Sequence, residues 1–407
     1  MKLDIPPFPY LIIQRLKDRG FKALIVGGAI RDRIIGRVIS DWDIATSADP
    51  KEIKTLFKDI KNFHLKHGTV TLVHKGREYE VTAFRGKDIY EDLSHRDFTM
   101  NAMAYDEEEG NIIDPYGGWQ DIRDRIIRGV EDPIERFSED PLRMLRAFRF
   151  MAELGFKIDP LTFNAISSLS HLIKDVAGER IRDEFKRLIL SKWAGDSLIK
   201  MKESGLLFHI IPEIRSLNQL DKIIKKIDLI KRDLILRLCW LIMHIRDGEV
   251  IKRLYLSRRL QREITDLQSG VRGILSIEGL RDDKELRRLI YNFGKDNARR
   301  ILFLKGMELE LLGRQKEREI LHQIERRTDE LIKDNKILEK GRLKITGRDI
   351  MDIMEIEEGP MVGEIIDKVI EKVLEDPSLN KRDRLIALVE HLRTESFEFF
   401  KALRKKL

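Results

Sequence analysis

Two aspartates with one residue between them close the stretch GGAIRDRIIGRVISDWDIAT, residues 27–46. On a β-strand, residues two apart point to the same face. Asp41 and Asp43 would therefore aim both carboxylates into one space, with Trp42 pointing away. Left unpaired, the two charges repel and each raises the pKa of the other. A hard cation relieves that repulsion. Magnesium takes oxygen ligands, and two such ions about 3.5–4 Å apart clamp a phosphoryl displacement. A solvated Asp-x-Asp at a strand end is the plainer reading, and the spacing by itself does not choose between them. The preceding residues do. The apolar run ALIV leads into Gly27-Gly28, and a helical pattern starts near Ala29. Two glycines let backbone approach a phosphate, and a helix N-terminus offers it N–H groups and a positive dipole end. Arg31 lies in that first turn and can add a charge-assisted bond.

Further charged residues extend the set. Strand alternation in EYEVTAF places Glu78 and Glu80 on the face opposite Val81 and Ala83. Glu80 is thus a candidate third carboxylate, with an exposed strand glutamate as the alternative. In EDPLRMLRAFRF, Asp140, Arg143, Arg146 and Arg149 recur every three residues. Read as one helix, each step rotates the side chain by roughly 60°, so Asp140 and Arg143 are surface neighbours and Arg149 lies about half a turn away. The chemistry of such a pair is specific. A carboxylate accepts from an exocyclic amino group, and a guanidinium donates to a ring nitrogen or carbonyl. Cytosine and adenine present an amino donor beside a ring-nitrogen acceptor, whereas uracil and guanine reverse the order. An Asp–Arg pair would accept C and A and leave unpaired buried groups facing U and G. A helix decorated with ion pairs is the competing reading.

The elements that must carry these residues change character once along the chain. Up to about residue 130, helix and strand patterns alternate. FPYLIIQRLKDRG reads as an amphipathic helix ending at Gly20, and PKEIKTLFKDI as a helix opened by Pro50. FKALIVGG and SDWDIAT read as strands. GTVTLVHKG and REYEVTAFR read as a hairpin turning at Lys75-Gly76, and FTMNAMAYD with NIIDP as a further pair around Glu109-Gly110. After Pro133 the pattern is helical nearly to the end, with breaks near GFKIDP, GLLFHIIPEI, Gly270–Gly279 and EKGRLKITG. The expected fold is an α+β head with a mixed sheet, followed by an elongated all-α neck, body and tail. The boundaries read as 1–130 for the head, 131–195 for the neck with the nucleotide-selecting helix, 196–335 for the body and 336–407 for the tail.

Composition narrows the partners. The chain has 407 residues with a formal net charge of +7, which favours polyanionic partners. Its single cysteine, Cys239, lies in the apolar run LRLCWLIMHI and reads as a core residue. One cysteine makes no internal disulfide, which fits a reducing, cytoplasmic setting. MKLDIPPFPY has no apolar signal core, and no window reaches the length of a membrane span. His64 and His67 flank a loop without paired ligands at zinc spacing.

The motif VGGAIRDRIIGRVISDWDIAT resembles that of the class II nucleotidyltransferases, the group of tRNA CCA-adding enzymes, their CC-adding and A-adding relatives and bacterial poly(A) polymerases. KHGTVTL, HRDFTMNAMAYD, DPYGGWQDIRDRIIR, EDPLRMLRAFRF, ERIRDEFKRLI and the C-terminal KITGRDIM resemble family motifs in family order. The resemblance implies that Gly28 and Arg31 bind the nucleotide triphosphate and that Asp41 and Asp43 hold magnesium, as two ions. It implies that Arg96 contacts phosphate and Asp97 the ribose, though a surface ion pair is the plainer reading of that dipeptide. It implies that Asp140 and Arg143 act as an amino-acid template, supported by Arg146 and Arg149. Where the family often has arginine, this chain has His95. His244 is followed by Ile245 rather than by the Asp of a His-Asp phosphohydrolase site, so no second metal site is expected.

The reaction so implied is template-independent addition of cytidines, CC or the full CCA, to the 3′ end of tRNA from CTP and ATP, with pyrophosphate released. The partner would be tRNA, held by its acceptor and T arms. A poly(A) polymerase and a non-catalytic RNA-binding relative are the alternatives. Between Arg85 and Arg96 stands only GKDIYEDLSH. Family members that complete CCA carry a longer flexible segment there, and the short connection favours CC addition.

Overall fold

In a computed structural model, residues 3–60, 64–66, 68–245, 249–334 and 338–404 are described. They form two compact units: residues 1–237 with 244–256, and residues 238–243 with 257–407.

The first unit opens with helix α1 (Pro7–Lys17), started by proline and burying Phe8, Ile12, Ile13 and Leu16. Strand β1 (Ala23–Val26) is buried at every position. Helix α2 (Gly28–Ile34) follows directly, then β2 (Asp43–Thr46). Helix α3 (Pro50–Leu56) begins with a capping box in which Asp49 accepts from the backbone of Lys51 and Glu52. Strands β3 (His64–Lys66), β4 (Thr69–His74) and β5 (Arg77–Ala83) form a meander. Lys75 and Gly76 turn it with φ of 50° and 75°, the left-handed pair that a two-residue hairpin needs. Helix α4 (Ile89–Ser94), β6 (Ala104–Asp106) and β7 (Asn111–Ile113) complete the sheet region. The sheet order is β3-β4-β5-β2-β1-β6-β7. Within this sheet, among the described residues, only β2 and β5 run parallel, with Ile44 opposite Val81.

Helix α5 (Gly118–Asp124) and the short β8 (Ile126–Ile127) lead on to α6 (Pro133–Glu139) and α7 (Leu142–Leu154). Then come β9 (Lys157–Ile158), α8 (Pro160–Leu169) and α9 (Gly178–Ile189). The rest of the described chain is helical. The second unit centres on buried Ile350, Val369, Val373, Leu385 and Val389. The mixed-sheet head followed by a helical body is the fold class expected.

Four local expectations need correction. Asp140 is not in a helix with Arg143. Its backbone is extended, with φ −143° and ψ 97°, and it separates α6 from α7. Pro141 is the reason, since proline drives the residue before it out of the helical region. FTMNAMAYD is strand only at its end, and Thr99–Asn101 is a single 3₁₀ turn. The break at GFKIDP holds β9, which pairs with β8 inside the region read as helical. His64 lies in β3 rather than beside a loop, and His67 lies outside the described residues.

Candidate active site

Strand β2 puts Asp43 at its first position, between β1 and β5. Val26 pairs with Asp43 on one side, and Ile44 pairs with Val81 on the other. The parallel register therefore sets Glu80 beside Asp43. Asp41 precedes the strand and is exposed, Trp42 is buried, and Asp43 is half-buried. Alternation thus extends past the strand end, and the two carboxylates lie on the side away from the indole. Burial pushes the Asp43 carboxyl up to about 6, with the Glu80 and Asp41 charges adding to it against Arg96 and Arg31.

A carboxylate crowded in this way suits a hard cation. Among the described residues, no three His, Cys, Asp or Glu side chains converge closely enough to hold a metal ion. Magnesium beside phosphates is usually held by one or two carboxylates, with water and substrate as its other ligands.

The glycines divide the work. Gly27 has φ of 72°, and a Cβ there would come within 3.0 Å of an Arg96 nitrogen and 3.9 Å of the Asp43 carboxylate. Only glycine fits. Gly28, the residue singled out from sequence, opens α2, and a Cβ on it would lie 3.4 Å from the Arg31 guanidinium.

Arg31 is buried. Its guanidinium donates to Asn101 Oδ1 at 2.7 Å and to Asp32 at 3.0 Å. Asn101 in turn donates to Asp97 Oδ1 at 3.0 Å. Asp97 also accepts from Arg146 at 2.9 Å and from the backbone of Phe98. Although burial opposes its charge, Arg146 and Asn101 hold Asp97 down to about 2. Arg146 continues to Glu184 at 3.3 Å, and Arg149 pairs with both Glu184 and Glu153. The guanidinium carbons of Arg31, Arg146 and Arg149 lie 5.1, 5.5 and 3.8 Å from the centre of the Phe150 ring. One polar network therefore runs from α2 through the 3₁₀ turn to α7 and α9. Arg96 instead pairs with Asp92 at 3.1 Å.

Asp140 and Arg143 hold different partners. Asp140 accepts from Arg180 at 2.8 Å and from the backbone of Leu142 at 3.2 Å. Arg143 donates to the His95 carbonyl at 2.8 Å, to the Arg136 carbonyl at 3.2 Å and to Glu139 at 3.0 Å. Burial lowers its pKa from the usual arginine value, with the charges of Asp97, Glu139 and Asp140 opposing the shift. Asn101, Glu139, Phe150, Arg180 and Glu184 belong to the site's framework and were not singled out from sequence. All five stood inside quoted motifs, but only the tertiary contacts reveal what they hold.

Three family models match in series: the poly A polymerase head domain over 23–128, the RNA and SrmB-binding site of polymerase A over 155–217, and tRNA nucleotidyltransferase domain 2 over 232–389. A CCA-adding enzyme of Geobacillus sp. (strain WCH70) is 34% identical over 394 residues, covering 92% of this chain and 94% of that protein. The chain belongs to the class II tRNA nucleotidyltransferases. Among solved members of this nucleotidyltransferase family, the Bacillus stearothermophilus CCA-adding enzyme in complex with CTP has a TM-score of 0.78 and 30% identity, covering 97% of this chain and 100% of that one. The Thermotoga maritima CCA-adding enzyme complexed with tRNA shares the fold, with a TM-score of 0.69 at 21% identity over 95% of this chain and 96% of that one. No described helix is long and apolar enough to cross a membrane.

Proposed function

We propose that this nucleotidyltransferase adds two cytidines to the 3′ end of tRNA, the tRNA hydroxyl attacking the α-phosphorus of CTP and pyrophosphate leaving. The observation that carries the reading is the crowded Asp43, raised to about 6 beside Glu80 and Asp41 and next to the positive-φ turn at Gly27. Asp41 and Asp43, with Glu80 beside them, would hold magnesium as two ions. Magnesium bound there would supply charge neutralisation for the attacking and leaving oxygens.

The chain's own groups do the rest. The Gly27-Gly28 turn and Arg31 seat the triphosphate, and Arg96 stands over the same turn. Asp97, held ionised, is an acceptor for a ribose hydroxyl. Asp140 and Arg143 read the base edge, which requires Asp140 to exchange Arg180 for an amino group and Arg143 to exchange the His95 carbonyl for a ring nitrogen. Arg146 and Arg149 hold the pocket's shape through Asp97, Glu184 and Phe150. The head at 1–130, neck at 131–195, body at 196–335 and tail at 336–407 divide the labour, with body and tail gripping the acceptor and T arms through phosphates.

Stopping at CC is supported by the connection between Arg85 and Arg96. It is not an open loop. Asp88 caps α4, and the buried Asp92 carboxylate receives the backbone N–H of Arg85 and the Arg96 guanidinium. A segment tied at both ends resists the reshaping that a larger base would demand. The test gives the purified protein a tRNA lacking its 3′ end, with CTP and ATP together. Product ending at CC is expected. Efficient CCA formation would establish full CCA addition instead, and long adenosine tails on unstructured RNA would establish a poly(A) polymerase.

A further inference from the structure

A cavity of about 920 Å³ lies in the first unit, at the ends of α2 and α7 opposite the glycine turn and Asp140. It is walled by the C-terminal ends of α2, α5, α7 and α9. The N-terminal ends of α2 and α7 carry the catalytic groups. Helix α7 has 13 residues, so this cavity stands roughly 20 Å along its axis from Asp140.

Its electrostatics are unusual for this chain, in which most arginines are ion-paired. Arg37, Arg123, Arg125, Arg187, Lys192 and Arg232 line it, against one carboxylate, Glu153. Glu153 is already shared between Arg149 and Arg187. Among the described residues, no carboxylate pairs with Arg37, Arg123, Arg125 or Arg232, and all four are exposed. Helix dipoles account for part of this. Four helix ends carry roughly half a negative charge each, so six cations and one carboxylate leave a surplus of roughly three positive charges. The end of α9 needs none of it, because buried Arg237 already donates to the carbonyls of Ile189 and Ser191 at 2.7 Å.

The wall also offers an aromatic face. Trp193 is half-buried, and its indole packs so closely on Gly155 that a Cβ there would meet the ring at 3.0 Å. Lys192 Nζ stands 4.5 Å from the indole centre. The ring borders both this cavity and an adjoining, more apolar one of about 630 Å³. A volume of this size, a surplus of cations and an aromatic platform match a ligand with several phosphates and a flat base. We propose that this cavity binds a second nucleoside polyphosphate, separate from the reacting one, with its phosphates on Arg123, Arg125 and Arg232 and its base against Trp193.

Calorimetric titration of the full chain with CTP, the nucleotide the reacting site takes, tests this. Wild type should take up two equivalents, and Arg125→Glu/Arg232→Glu should retain one. The milder Arg125→Gln/Arg232→Gln, which changes only exposed side chains, should weaken the second equivalent at least tenfold. CTP should quench tryptophan emission in wild type, and Trp193→Phe should lose that quenching. Pyrophosphate alone should bind this site at least tenfold more weakly than CTP. One equivalent in wild type and in both double variants would overturn the proposal. So would a double variant that keeps two equivalents and loses tRNA affinity, which would make the cavity an RNA contact. Equal affinities for pyrophosphate and CTP would overturn the role given to Trp193.

Discussion

Replacing Asp43 by asparagine should abolish nucleotide addition and make the folded protein more stable. The fold holds this carboxyl at about 6, against 3.8 for the ordinary side chain, because β2 half-buries it and the pairing with β5 brings Glu80 alongside. A pKa raised on folding means that the native state binds the proton more tightly than the unfolded chain does. Stability is then highest below the unfolded value and falls as pH rises through 3.8 to about 6. At 1.36 kcal/mol for each pKa unit, the ionised group costs about 3 kcal/mol above pH 7, and about half of that near pH 5. Asparagine keeps the shape and removes the charge. Chemical denaturation without divalent cations should therefore show Asp43→Asn more stable by up to about 3 kcal/mol at pH 8, with the gain shrinking toward pH 5. Added magnesium should stabilise wild type more than the variant, narrowing the gap. An unchanged or lower stability at pH 8, or a gain independent of pH, would show that this carboxylate is not under strain and would remove the physical reason for placing a cation there.

Other perturbations follow from the same geometry. Asp140→Ala should relax discrimination against UTP and GTP by roughly tenfold or more, the worth of one good base contact at about 1–3 kcal/mol, as read by competition between nucleotides; unchanged rejection would remove the template role. Gly27→Ala should lower stability by about 1–2 kcal/mol through its left-handed backbone and raise the KM for CTP, whereas Gly28→Ala should do much less, as thermal denaturation and steady-state kinetics would report. Binding to tRNA should weaken steeply between low and moderate salt as neutralised phosphates regain counterions, and a flat salt profile in filter binding would contradict a grip on the phosphate backbone.

Much of the head was legible because its signals are local. Lys75-Gly76 and Glu109-Gly110 mark turns by residue type, Asp49-Pro50 marks a helix start, and alternation predicts the shared side of Asp41 and Asp43. Pro141, directly after Asp140, carries the same kind of local signal and argues for a helix boundary there, against the three-residue period of the charge ladder. What stayed hidden depends on pairing between distant segments. Glu80 neighbours Asp43 only through the parallel register of β2 and β5. Asn101 matters because a 3₁₀ turn sets it between Arg31 and Asp97. Helical rotation puts Arg149 half a turn from Asp140, but its burial against Phe150 and Glu184 is set by contacts between helices. None of these contacts follows from spacing along the chain.

The central claim is that Asp41 and Asp43 support nucleotidyl transfer to tRNA. The most direct measurement is a single-turnover reaction of the full chain with CTP labelled at the α-phosphorus, magnesium and a tRNA lacking its 3′ end, run beside Asp43→Ala. Wild type should place the label in tRNA and release one pyrophosphate for each cytidine added, while Asp43→Ala binds tRNA with unchanged affinity and transfers no label. Equal transfer by the two proteins would contradict the account.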